Sequence, residues 1–168
     1  MFDAHCWNDW KQRAFNGDPA LTAWEPPSAL LSPAHGGAIN YLKAVARAFV
    51  AILKAAGLPV KFQIGEPWWW IMPDGRICLY DAAANAAFGA LSVSIPSIKG
   101  SKTAAQKAML DKAGQLLAAS TASICDAVRA EAGNGGAQTL LLVYLPTVLD
   151  AAMFASPRSS RGDTTSSR

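Results

Sequence analysis

Charge is scarce in this chain, and so are the residues that build most metal and redox sites. Charged side chains make up 16% of the 168 residues and hydrophobic ones 51%, a balance that excludes global disorder and suits one domain with a real core. The three cysteines, Cys6, Cys78 and Cys125, form no CxxC pair. The two histidines, His5 and His35, are not at ligand spacing. No glycine-rich phosphate loop occurs, so no metal, nucleotide, flavin or other cofactor is implied. The formal charge is +3, but Arg158, Arg161 and Arg168 against Asp163 carry most of it, leaving 12 basic and 11 acidic residues elsewhere. Without a basic stripe, nucleic-acid binding is not expected. Neither a signal-peptide pattern nor an apolar run approaching twenty residues is evident, so we expect reduced thiols, synthesis in the cytosol and no membrane partner.

What is present alternates between helix and strand signals. Trp7, Trp10 and Ala14 fall at i, i+3 and i+7, which predicts a short helix ending at Asn16-Gly17. Pro19, Pro26, Pro27, Pro33, Gly36 and Gly37 then predict an irregular surface segment anchored by Trp24. Residues 39–56 carry Leu42, Val45, Ala46, Phe49, Val50 and Leu53 on one helical stripe, with Gly57 as a left-handed cap and Pro59 barring continuation. Val60–Ile64 reads as a parallel strand. Pro73-Asp74-Gly75 has the chemistry of a turn between hairpin arms 68–72 and 76–80. Residues 81–89 suit a short helix and 90–100 a loop. A second long helix starts at Ser101 or Thr103 and runs to about Ala132, with Met109, Ala113, Leu116, Leu117, Ser120, Ile124, Ala127 and Val128 on one face. Thr139–Tyr144 is continuously apolar, as in a strand covered on both faces. Residues 151–168, rich in Ser and Arg, read as a disordered tail behind a 1–150 domain.

The stretch Phe62-Gln63-Ile64-Gly65-Glu66-Pro67-Trp68-Trp69-Trp70 stands out. It sets a carboxylate at a strand end beside three indoles, an arrangement suited to sugars, since ring faces stack on pyranose C–H surfaces while an acid reaches the glycosidic oxygen. Alternation along the hairpin arm puts Trp68 and Trp70 on one face and Trp69 with Ile71 on the other, so one set packs while the other is free. In parallel α/β folds chemistry gathers at the C-terminal ends of strands, where Glu66 and Tyr144 fall. The candidate site is therefore Glu66 as the acid, with Trp68, Trp70, His5 and Tyr144 as lining residues.

The segments FQIGEPWWWIMPDGRICLYD, AHCWNDWKQRA, LLSPAH, NYLKAVARAFVAILKAAGLPVKF and TLLLVYLPTVLD resemble the TIM-barrel domain of phage and prophage non-contractile tail sheath proteins. They are more distantly similar to the glycoside-hydrolase-like barrel of gene transfer agent baseplate proteins. The resemblance implies an α/β fold: a partial TIM (β/α)8 barrel of two to three β/α units, with a β-hairpin after the Glu66 strand. It is partial because eight units need about 250 residues. It implies a structural domain of a tail protein, bound for the virion tail, with other tail subunits and a host-surface polysaccharide as partners. In sugar-cleaving barrels with this turn the matching Glu is the general acid/base, so an active retaining glycosidase using Glu66 is the alternative. That mechanism needs a second carboxylate about 5–5.5 Å away. Asp3, Asp81 and Asp150 are the available acids, and no spacing singles one out. For this chain we expect a fragment in which sugar is contacted without turnover.

Overall fold

The computed structural model describes residues 2–3, 7–22, 25–65 and 67–142. His5, Trp24, Glu66, Tyr144, Asp150 and the 151–168 tail lie outside the described residues.

The framework is two long helices against a parallel strand pair. Helix α1 (Gly36–Ala55) begins where the His35 ring accepts a hydrogen bond from the Ala38 amide at 3.2 Å. It ends in a Schellman turn. Gly57, at φ 66°, donates its amide to Lys54 O and Leu58 donates to Leu53 O, the left-handed cap expected of Gly57. Strand β3 (Lys61–Ile64) follows at once. The chain returns through α2 (Ala82–Phe88) and α3 (Ala104–Ala132) to β4 (Gln138–Leu141). Strand β4 pairs with β3 in parallel, Lys61 opposite Gln138 and Ile64 opposite Leu141. The expected α/β alternation with a parallel sheet is borne out.

Helix α3 starts at a capping box. Thr103 Oγ1 accepts from the Gln106 amide and Gln106 Oε1 accepts from the Thr103 amide, so two orphan donors of the first turn are satisfied. Its predicted face packs as expected: Met109, Ala113, Leu117, Ser120, Ala127 and Val128 are buried, while Leu116 and Ile124 are half-buried. Ala46 and Val50 of α1 meet Val128 and Ala132 of α3 over Phe62. By length and composition alone α1 could cross a membrane, at mean hydropathy 1.3, yet its Ala38, Ala46 and Val50 are buried in the fold.

Three expectations need correction. Trp7 and Trp10 do not belong to an α-helix ending at Gly17. They close a 3₁₀ turn, Asn8–Trp10, with the Trp10 amide bonded to Trp7 O. In such a turn residues i and i+3 eclipse, and the two indoles accordingly stack with centroids 4.3 Å apart. Beyond the turn the backbone extends, because Gln12 donates to Leu30 O and Ala14 to Asp18 O. The 18–37 segment is likewise no surface loop. Its residues form antiparallel bridges, Arg13 with Pro19, Leu21 with Ala29 and Lys11 with Leu31. It also carries β2 (Ser28–Ala29), paired with β1 (Phe2–Asp3), and Ala20, Ala29 and Ser32 are fully buried. Proline there blocks helix without blocking burial, since each proline lacks a donor only at its own position. Finally, the parallel pair is covered on one face. Lys61, Gln63, Gln138 and Leu140 are exposed, while Phe62, Ile64, Thr139 and Leu141 are half-buried.

The hairpin after β3 forms as an irregular one. Met72 donates to Arg76 O, and Cys78 donates to Trp70 O, around an Ile71–Ile77 bridge. Asp74 Oδ1 accepts from the Arg76 amide at 3.1 Å. Arg76 in turn reaches both Asp74 and Asp18 at 2.7 Å, pinning the turn to the N-terminal segment. These hydrogen bonds from Arg76 hold both carboxyls below the ordinary value. Gly75 is at φ 91° and buried, and a Cβ there would meet Ser97 Oγ at 2.7 Å. Gly75→Ala therefore combines backbone strain with a clash against the 97–98 loop. It should lower unfolding free energy by about 1–3 kcal/mol, read from the midpoint of a urea titration.

Candidate functional site

Four residues past β3, the three indoles separate as strand alternation requires. Trp69, 1% exposed, enters the main core with Leu79, Phe88, Ile95, Met109 and Leu110, and Ile71 packs beside it. Its indole Nε1 donates to Ala113 O in the middle of α3 at 2.9 Å. Trp68 and Trp70 take the other face, with ring centroids 6.0 Å apart and planes tilted by 59°. Trp70 packs on Ala14, Ala20, Leu30 and Cys78, and its Nε1 is buried without a hydrogen-bond partner. Trp68 is half-buried and turned to a groove.

Gln12 holds this arm in place. Its side-chain amide donates to Leu31 O and to Trp68 O, each at 3.0 Å, and its Oε1 accepts from the Trp70 amide at 2.7 Å. One side chain thus does what a strand neighbour would do, and it is 2% exposed. Nothing in the sequence marked it. A glutamine beside tryptophans reads as a polar helix position until the backbone is known to be extended.

The groove has a volume of about 520 Å³ and runs between α1, α3 and the end of β3. Phe49 and Leu42 of α1, Leu117 and Ile124 of α3, and Pro67 and Trp68 line it. Sequence reasoning had assigned Leu42 and Phe49 to the core stripe, yet Phe49 is 57% exposed. The polar side chains of the wall are Gln12, Gln63, Ser120 and Thr121, and no described residue of the wall titrates. These described residues can select for apolar surface and offer a few hydrogen bonds. No group of metal-ligating side chains exists among the described residues.

Of the candidate site residues, Trp68 lies in the groove wall, Trp70 lies behind it in a small core, and Glu66, His5 and Tyr144 lie outside the described residues. Asp81, one of the acids weighed as a partner for Glu66, has a structural post. It is 1% exposed and caps α2, with Oδ1 accepting from the Ala84 amide at 3.0 Å, while Oδ2 is buried without a partner. Burial pushes its carboxyl above the ordinary value, against the weaker pull of the Ala84 amide and the nearby Ser32 hydroxyl. Burial likewise pushes the Cys78 thiol up to about 12, so that cysteine is packing rather than nucleophile.

The same chain, compared with known protein families, matches the model described as the non-contractile tail sheath protein TIM barrel over residues 1–162. The chain belongs to that family. No curated protein and no solved structure matches it. Membership in the tail sheath barrel family makes the chain part of a phage tail, with a structural role, other tail subunits as neighbours and the virion tail as its place. Among the described residues the parallel sheet is the pair β3–β4, with α1 and α3 on one face.

Two outcomes follow from this geometry. Gln12→Ala leaves the Trp70 amide and two carbonyls without their partner, and each buried group so stranded costs about 1–3 kcal/mol. The variant should lose at least about 2 kcal/mol of unfolding free energy in urea, and its Trp fluorescence should shift to the red. For Asp81 the folded carboxyl binds its proton more tightly than the unfolded one. The folded state therefore holds more protons as pH rises past the ordinary carboxylate value, and stability is lost there. Asp81→Asn keeps a capping oxygen and removes that loss. The stability difference between Asp81→Asn and the parent should grow in favour of the variant from about pH 3 to pH 7.

Proposed function

We propose that the domain is a passive wall of the tail, docking on neighbouring subunits through the open face of α1. The observation that carries this is a stripe of apolar residues on its exposed side: Ala44, Ala48, Ala51, Ile52 and Ala55, at i, i+4, i+7, i+8 and i+11, are all exposed, Ile52 at 64%. The opposite side of α1 is committed to α3, where Lys54 Nζ donates to Glu131 O at 2.6 Å. A tail subunit bound there needs no catalytic group. Ala48→Asp and Ile52→Asp, each on the exposed side, should leave the circular dichroism spectrum unchanged and abolish incorporation into tail particles. Normal incorporation of both variants would exclude this face as the contact.

A second reading is contact with a host-surface polysaccharide at Glu66, Trp68 and Trp70. It is favoured by the tilted Trp68–Trp70 pair lying just past the C-terminal end of β3, with Trp68 half-buried rather than packed away. In this reading Trp68 is the stacking platform and Trp70 its support, with His5 and Tyr144 as further lining residues. Calorimetric titration with host-surface polysaccharide should show binding that Trp68→Ala removes, and an absence of heat with the parent protein defeats it. Retaining hydrolysis with Glu66 as general acid/base is the more demanding form of the same reading. It requires turnover of an aryl glycoside that Glu66→Gln abolishes; equal turnover in the variant removes Glu66 from the chemistry.

A further inference from the structure

We infer that the open side of α1 receives an acidic amphipathic helix of a neighbouring tail subunit, whose carboxylates meet Arg47 and Lys54. The inference rests on the docking role proposed above for this face and names the chemistry of what docks there.

The exposed residues of α1 are not scattered around its open side. Tyr41, Ala44, Ala48, Ala51 and Ala55 follow one another at steps of three, four, three and four, and each of them is exposed. That is the 3.5-residue repeat of a seam between two helices. From Tyr41 to Ala55 the seam runs about 21 Å along the axis, at 1.5 Å per residue. Knobs from a facing helix fill a seam of this period, each seated among four residues. A strand, whose side chains alternate with a period of two, does not keep step with it. The alanines let a partner axis come to the short end of the usual range, about 8 Å rather than 10 Å. Both ends of α1 are tied down, by the His35 cap at one and the Gly57 turn at the other. The seam is therefore a preformed surface, and docking on it orders little that is not already ordered.

The two flanks of the seam differ in charge. On one side stand Val45 and Ile52, and on the other Asn40, Arg47 and Lys54, each placed directly before a seam residue. Such flanking positions choose the partner of a helix pair through their charges. Helix α1 carries three cations, Lys43, Arg47 and Lys54, and no Asp or Glu. None of the three forms an ion pair among the described residues, where the cations so paired are His35, Arg76 and Arg129. Lys54 gives its ammonium to a backbone carbonyl, Glu131 O, which brings no countercharge. A second α1 would add the same cations and no carboxylate. A helix with apolar residues at the seam and Asp or Glu facing Arg47 and Lys54 supplies what is missing. Complementary charge of this kind raises the rate of encounter and rejects wrong partners more than it adds affinity.

Benzoylphenylalanine in place of Ile52, in tail particles assembled with the full chain, tests the partner directly. Irradiation should join α1 to a segment of another tail subunit that tandem mass spectrometry shows to have apolar residues at heptad spacing and at least two Asp or Glu between them. A crosslink to α1 of a second copy, a crosslink to a segment without acids, or no crosslink overturns the inference. Arg47→Glu with Lys54→Glu should cut incorporation into tail particles at least tenfold with the circular dichroism unchanged, whereas Arg47→Lys should stay within twofold of the parent. Normal incorporation of the doubly reversed chain, while Ile52→Asp still abolishes it, leaves the docking face standing and removes the acidic partner. Normal incorporation of Ile52→Asp as well removes the face itself. If the doubly reversed chain fails to fold, Arg47→Glu alone, at an exposed position, should cut incorporation at least threefold, and an unchanged level overturns the inference. Duplex DNA should not be retarded by the parent chain; retardation that the double reversal abolishes would assign the two cations to nucleic acid instead and overturn the inference.

Discussion

A buried hydrogen bond ties the hairpin to α3: the indole N–H of Trp69 donates to the carbonyl of Ala113, inside the core. The indole brings a large apolar area, roughly 150–250 Å², whose transfer from water is worth about 4–6 kcal/mol at 25 cal/mol/Å². It can be buried only if its N–H finds an acceptor, since an unpaired one costs about 1–3 kcal/mol. A mid-helix carbonyl has a second lone pair free for that purpose. The contact fixes the height of the hairpin along α3, and Leu79, Phe88 and Ile95 then close around the same ring cluster. The hairpin after β3 is held against α3 by this bond, while Gln12 fixes the backbone of Trp68 and Trp70 from the other side.

Ionic groups are arranged around this apolar centre by how much water they keep. The Asp18–Arg76–Asp74 group sits at the periphery, where pairing lowers both carboxyls without demanding full desolvation. Asp81 is the opposite case. It gives the short α2 its start and keeps one oxygen without a hydrogen bond in a buried place. A helix of seven residues cannot nucleate itself, so the cap is needed even where the carboxyl is poorly accommodated. The chain thus accepts, at this position, local instability in exchange for a fixed turn between hairpin and helix.

How much could be read from the residues depended on the range of the interactions that decided each element. Helix α3 was legible because its signals are local: Thr103 with Gln106 at one end, Gly133 at the other, and a stripe from Met109 to Val128 between them. The Gly57 cap and the Pro73-Asp74-Gly75 turn were legible for the same reason, as was the alternation that separates Trp69 from Trp68 and Trp70. The 7–32 region was not. Its spacing of tryptophans and prolines is compatible with helix or loop, and extended structure wins through bonds to residues 15 to 20 positions away, such as Gln12 to Leu30 and Lys11 to Leu31. The groove was illegible for a related reason. Leu42 and Phe49 follow the same stripe as the buried Ala46 and Val50, and only the position of β3 and α3 decides which of them is covered. The resemblance to the family, by contrast, lay in short runs such as Gly65-Glu66-Pro67-Trp68, whose pattern needs no three-dimensional knowledge to be compared, and the family match spans residues 1–162.

The clamp formed by Gln12 has a consequence for how the chain comes off the ribosome. Its side chain joins residues 19, 56 and 58 positions downstream, so the segment that carries it is synthesised well before its partners. Long loops of this kind are closed late, because their entropy must be lost before any bond rewards it. At about 5–20 residues per second, the wait for Trp70 to emerge lasts roughly 3–12 seconds. During it Trp7, Trp10 and the backbone of 11–14 have no partner strand from the hairpin. The vulnerable interval in making this tail protein is therefore the one in which Trp7 and Trp10 are already out and the arm that will hold their segment has yet to be made.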